Sequence, residues 1–199
     1  MKSLPPSRRR VLRGAALAVV PYALLPARRA EADPHPVDDP DAEWEPASPA
    51  NYTPANRPAS HPVDLVIIHV TQTTYRTTLG VFLGPSKEVS AHYVVRSWDG
   101  NLAQCVREAD IAWHAGDWDH NTRSIGIEHE GWVDQPGYFT DALYERSARL
   151  TAGICGRHGI PVDREHIIGH YEVPGTDHTD PGPYWDWARY LRLVERFAQ

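Results

Sequence analysis

The sequence predicts an α/β fold, with a mixed central β-sheet flanked by helices. Three observations carry this. Asp64-Leu65-Val66-Ile67-Ile68-His69-Val70 is an unbroken apolar run, typical of a strand buried on both faces. Ser124-Ile125-Gly126-Ile127-Glu128-His129-Glu130 alternates with the two-residue period of a strand. Helical spacing then appears after residue 140 and again from Tyr184 to Phe197, and strands with interleaved helices imply a layered sheet.

In chain order, residues 1–32 read as a targeting segment. Ser7-Arg8-Arg9-Arg10-Val11-Leu12-Arg13 supplies positive charge, Gly14 to Leu25 is mostly apolar, and Ala30-Glu31-Ala32 is a small-x-small cleavage site. The apolar part is shorter than the ~20 residues that span a bilayer, and the run is similar to a twin-arginine export signal. The expected location is therefore secreted or associated with the cell wall, without stable membrane insertion after cleavage. Residues 33–59 carry Pro34, Pro36, Pro40, Pro46, Pro49, Pro54 and Pro58 and read as a linker or extended arm that Trp44 and Tyr52 pin to the domain. The domain proper is expected over 60–199.

Within it, Ala91-His92-Tyr93-Val94-Val95-Arg96 is a second β-rich run, and Asp99-Gly100-Asn101 turns it into Leu102-Ala103-Gln104-Cys105-Val106. Thr140 or Asp141 caps a helix whose stripe is Leu143, Ser147, Leu150 and Ile154, with Gly156 and Gly159 where it stops. His166 to His170 is short and β-like. The last helix follows Pro183 and packs through Trp187, Tyr190, Leu191 and Val194.

The chain has 199 residues and 41% hydrophobic composition, enough for one domain with a core plus something extra. Without residues 1–32 it holds 13 basic and 25 acidic residues, a net of −12, which repels nucleic-acid phosphates and anionic lipid. Cys105 and Cys155 either pair, which would stabilise an exported fold by roughly 4 kcal/mol, or stay as buried thiols. A monomer is expected.

Eleven histidines are many for this length. His69 ends the apolar strand, where a rigid scaffold can present a ligand. His170 and Asp180 flank a loop with Pro174, Gly175, Pro181 and Gly182, which could return one beside the other. Two imidazoles and a carboxylate leave one tetrahedral position open, the pattern of a catalytic zinc site, one Zn2+ per chain. Its expected place is a cleft at the sheet's edge. No Gly-x-Ser-x-Gly or P-loop pattern supports a serine hydrolase or a nucleotide binder.

Six ordered motifs then carry a resemblance: Ile67-Ile68-His69, Ser90-Ala91-His92-Tyr93-Val94-Val95, Ala112-Trp113-His114-Ala115-Gly116, Asn121-Thr122-Arg123-Ser124-Ile125-Gly126-Ile127-Glu128, Gly169-His170 and Asp177-His178-Thr179-Asp180-Pro181-Gly182. Over roughly residues 60–190 the chain resembles the type-2 N-acetylmuramoyl-L-alanine amidases, a family shared with peptidoglycan recognition proteins. The resemblance implies hydrolysis of the lactyl–L-Ala amide of peptidoglycan or muropeptides. It implies His69, His170 and Asp180 as zinc ligands and Glu128 as the catalytic carboxylate. Glu130 shares the strand face of Glu128, so parity does not separate them and only motif position favours Glu128.

His178 stands where many relatives place Lys, and is expected to stabilise the developing oxyanion as a second catalytic group. His114 and Trp113 are expected to line the cleft, with Asn121 and Arg123 positioning glycan or peptide. His92 reads as a buried strand histidine, His129 as facing away from Glu128, and His120 as a loop residue. Ala91 replaces the Tyr of phage members, which leaves proton transfer to Glu128. Trp98, Trp113, Trp118 and Trp132 are candidate aromatic platforms. The competing readings are a non-catalytic peptidoglycan-binding module of the same fold and a zinc hydrolase acting on another amide.

Overall fold

Local sequence chemistry sets the elements of the computed structural model, which describes residues 37–199. The expected signal segment lies outside the described residues. The chain runs β1 (Glu43–Trp44), β2 (Tyr52–Thr53), β3 (Leu65–Val70), α1 (Tyr75–Leu83), β4 (Tyr93–Val95), β5 (Leu102–Gln104), β6 (Ile111–Ala112), α2 (Trp118–Arg123), β7 (Ser124–His129), α3 (Asp141–His158), β8 (Ile167–Gly169) and α4 (Trp187–Phe197). Each helix has a side-chain cap: Thr74, Asp117, Thr140 and Asp186 accept the exposed first-turn N–H groups. Gly159, at φ +70°, ends α3 in the left-handed conformation that glycine adopts at low cost, whereas Gly156 stays inside the helix.

Six strands make a mixed sheet in the order β1-β5-β4-β7-β3-β8. Strands β4, β7, β3 and β8 run parallel, and β5 is antiparallel to β4. The apolar run is thus the buried strand β3, hydrogen-bonded on both sides. The two-residue period divides the side chains. Val66, Ile68, Ile125, Ile127, Tyr93 and Val95 face α3 and α4 in the main core. Most of these side chains are wholly buried, each worth roughly 1.5–3 kcal/mol. Val94 and Ala103 face the other way, against Tyr75 and Phe82 of α1, while Leu65, Ile67 and Ile168 pack on Ala115 and Val173. By the same parity His69 and Glu128 project from the face away from α3.

The Pro-rich stretch expected as linker or arm is built into this domain. β1 pairs parallel with β5, and β2 pairs antiparallel with β6. Asn51 is fully buried and donates to the carbonyls of Phe82 and Gly84. Composition placed a boundary near residue 60, but Arg57 is only 4% exposed and bonds deep inside. Pro content hides this, because two-residue strands carry almost no periodic signal.

Other differences are local. α1 was not anticipated, since Thr77, Thr78 and Gly80 are weak helix formers. His120 lies in α2 rather than on a loop. α4 starts at Trp187, three residues after the expected Tyr184, because Asp186 caps it. Cys105 and Cys155 are free thiols buried in separate clusters. Among the described residues no helix is long and apolar enough to cross a membrane.

Candidate metal centre and its cleft

A cleft of ≈ 720 Å³ opens above the C-terminal ends of β3 and β7 and the turn after β8. Parallel strands ending together make such a site, because every strand delivers its last side chains to one rim. β3 delivers His69, and β7 delivers Glu128 in direct register beside it. The 3-10 turn His170–Glu172 delivers His170. Asp180 returns across the following loop, which Tyr171 N–H ties back by donating to the Asp180 carbonyl at 3.1 Å.

His69, His170 and Asp180 are all buried, and one ligand atom from each lies within 4.8 Å of the others. His69 Nδ1 is 3.1 Å from His170 Nδ1, and the Asp180 oxygens lie 3.3 Å from each ring. The outward nitrogens define which atoms face inward. His170 Nε2 sits 3.2 Å from the Ala115 carbonyl and must carry its proton to donate there. Ser124 Oγ donates to the His120 carbonyl, so it can only accept from His114 Nε2 at 3.3 Å. His114 Nδ1 is then an acceptor, and His69 Nε2–H donates to it at 2.9 Å.

Both inward Nδ1 atoms therefore carry lone pairs. Two lone pairs and a carboxylate face one another with no proton among them, which a divalent cation makes favourable. Burial lowers the His69 pKa, with Asp180 opposing it, and burial reinforced by His69 takes His114 well below the usual imidazole value. Neutral rings suit metal ligation. The donor set fits a metal of the zinc type.

Glu128 lines the same cleft, and its Oε2 has no hydrogen-bond partner. Burial, then the Asp180 charge, pushes its carboxyl well above the ordinary value. Glu130, the rival that parity left open, is occupied: it accepts from Tyr75 N and Ser97 N, both at 2.9 Å. His178 stands at the rim with its side chain 58% exposed, stacked on His170 with ring centroids 4.0 Å apart.

The expected substrate contacts divide. Trp113 lines the cleft, its indole N–H held by Thr53 Oγ1 at 3.0 Å, and the exposed Trp118 stands beside it. His114 lines it too but turns its ring toward His69. Asn121 reaches the cleft wall, yet its carboxamide oxygen accepts from His114 N and Ala115 N at 3.0 and 2.8 Å. Arg123 does not line the cleft: it pairs with Asp64 at the opposite end of β7. Trp98 opens onto a separate cavity, and Trp132 packs on Tyr138.

Sequence reading missed Ser124 and Ala115, which have no distinctive chemistry of their own. One signal was available. Gly126 interrupts a strand, which marks close approach, and a β-carbon there would lie 2.5 Å from the His114 ring.

A buried donor set with an open side and an unpaired carboxyl next to it is the equipment of a hydrolytic metalloenzyme. The chain belongs to the N-acetylmuramoyl-L-alanine amidase family, whose model matches residues 59–183. It is 37% identical over 175 residues to N-acetylmuramoyl-L-alanine amidase A of Achromobacter lyticus, covering 79% of this chain and 96% of that protein. The crystal structure of an AmpD derivative is similar at 28% identity with a TM-score of 0.66, over 78% of this chain and 95% of that one. The amidase AmiD of E. coli, solved with anhydro-N-acetylmuramic acid-L-Ala-D-gamma-Glu-L-Lys, is similar at 25% identity with a TM-score of 0.57, over 66% of this chain and 57% of that one.

Proposed function

We propose that this amidase-family enzyme is exported, holds one zinc ion, and hydrolyses the amide between the N-acetylmuramic acid lactyl group and L-alanine. The observation that carries the chemistry is the unpartnered Glu128 oxygen beside three converging metal-type donors. A pure binding module has no use for a cleft carboxyl with one oxygen left unpartnered, so the catalytic reading is preferred over the binding one.

Zinc, when bound, supplies a Lewis acid that activates water and polarises a carbonyl. His69, His170 and Asp180 are the residues that would hold it. Glu128 takes a proton from the attacking water and returns it to the departing alanine nitrogen. Burial raises its carboxyl above the ordinary value, which makes the carboxylate a stronger base toward that water. His178, whose Nδ1 lies 3.3 Å from Asp180 Oδ1 at the exposed rim, hydrogen-bonds the reacting oxygen as charge develops on it. Trp113 and Trp118 offer flat apolar walls for the sugar or the stem peptide. The AmiD complex, with a muropeptide bound, supports this class of substrate. Export rests on the Arg-rich run and Ala30-Glu31-Ala32.

Mass spectrometry of digested peptidoglycan, with and without a zinc chelator, tests bond and metal together. Stem peptides with free L-alanine amino termini are expected only without chelator. A cut inside the peptide, or digestion that chelator leaves untouched, overturns the reading.

A further inference from the structure

Both histidines of the donor set pass their outward N–H to one short segment, and that segment is held from behind. We propose that Asn121 and Ser124 are positioning residues that set the tautomer and aim of His69 and His170 through His114–Ala115. The proposal rests on the metal reading above.

The connections are on two arms. On one, His170 Nε2–H donates to the Ala115 carbonyl at 3.2 Å. On the other, His69 Nε2–H donates to His114 Nδ1 at 2.9 Å, and His114 Nε2–H donates onward to Ser124 Oγ at 3.3 Å. Asn121 Oδ1 closes the pair by accepting from the N–H groups of both His114 and Ala115. Asn121 sits in α2 and Ser124 starts β7, so the segment hangs from two regular elements. Arg57 fixes that corner in turn, donating to the carbonyls of Asn121, Thr122 and Ser124 at 3.3, 3.1 and 2.9 Å.

Proton placement makes this more than packing. Without the Ser124 oxygen, His114 loses the acceptor that keeps its proton on Nε2. The alternative tautomer puts a proton on Nδ1, facing His69 Nε2. His69 must then move its own proton to Nδ1, the atom that faces His170 and Asp180. A protonated Nδ1 cannot ligate a metal. Without Asn121, the His114 and Ala115 amides lose their acceptor, and the segment aims neither ring.

The test is zinc affinity of the full chain, measured by competition with a chromophoric chelator, together with the visible spectrum of cobalt(II) in the site. Asn121→Ala and Ser124→Ala are each expected to bind zinc about 10–100-fold more weakly than wild type and to shift the cobalt bands. Asn121→Asp, which keeps an accepting oxygen, is expected to recover most of the affinity. Circular dichroism of the metal-free proteins checks folding, and should one alanine variant not fold, the other decides. Wild-type affinity and an unshifted spectrum in a folded alanine variant overturn the proposal. His170→Ala separates the two levels: if it binds zinc as tightly as wild type, the metal reading itself is wrong.

Discussion

Glu108 is a buried carboxylate and Glu128 a half-buried one at a cleft, and their surroundings are opposite. Tyr93, Arg157 and His158 all donate to Glu108, at 2.6, 2.6 and 2.7 Å. Burial alone would raise this carboxyl, yet the bonds from His158 and Arg157, with the Arg157 charge, bring it down to about 2. Glu128 has one oxygen with no partner, and burial raises it. The first carboxylate is ionised and closed, joining β4, α3 and the loop between β5 and β6. The second is open toward a cleft. A buried charge that has its partners is architecture, and a cleft carboxyl with an oxygen denied them is available for chemistry.

Substituting each with glutamine separates these roles most sharply. Glu128→Gln is expected to lower turnover about 10²–10⁴-fold, the usual worth of general acid–base catalysis. Its melting temperature should match or exceed that of wild type, because an acid with an unpartnered oxygen has been removed. Glu108→Gln should do the reverse. It leaves Arg157 short of its partner and is expected to cost about 3–5 kcal/mol of stability, as for a broken buried ion pair. Turnover per folded molecule should stay near wild type. Parallel melts and kinetics check both, and equal destabilisation by the two substitutions would break the comparison.

A smaller effect lies in pH. The folded Glu108 carboxyl titrates near 2, against 4.5 for the ordinary group. Between those values the unfolded chain binds more protons than the folded one, so stability rises with pH across that window. The contribution is fully present above the ordinary value and disappears as pH falls toward the folded one. It amounts to about 3 kcal/mol by proton linkage. Denaturant midpoints between the two values should fall steeply for wild type. For Glu108→Gln they should fall less, and the gap between the proteins should narrow as pH drops.

The same contrast explains what the sequence disclosed. Elements made by period and by apolar mass were legible: the strand at 65–70, the hairpin around Gly100 and the stripe of α3. His69, His170 and Asp180 were legible because motif order placed them together, and the structure brings their ligand atoms within reach of one another. Parity could not choose between Glu128 and Glu130. That choice depends on two backbone N–H groups, of Tyr75 and Ser97, which come from other parts of the chain. Arg57 was invisible for the same reason. It lies in a Pro-rich stretch, and its partners are the His92 ring and carbonyls that no side-chain pattern announces.

Arg123 is the finest test, because motif membership and geometry disagree about it. It lies within the ordered motif that ends at Glu128, which suggested a hand in positioning substrate. Geometry sends its guanidinium to Asp64 at 2.5 and 2.7 Å, one bond to each oxygen. Five residue steps along extended strand separate it from Glu128, roughly 16 Å at the usual rise. The pair is well exposed, at 39% and 41% for the two side chains, so solvent screens most of its attraction. Arg123→Ala is therefore expected to cost less than about 1 kcal/mol in stability, with KM and kcat both unchanged. A rise in KM at unchanged stability would mean that substrate reaches beyond the cleft to the far end of β7. Unchanged kinetics would instead show that this arginine, although inside a catalytic motif, serves only to anchor the strand that carries Glu128.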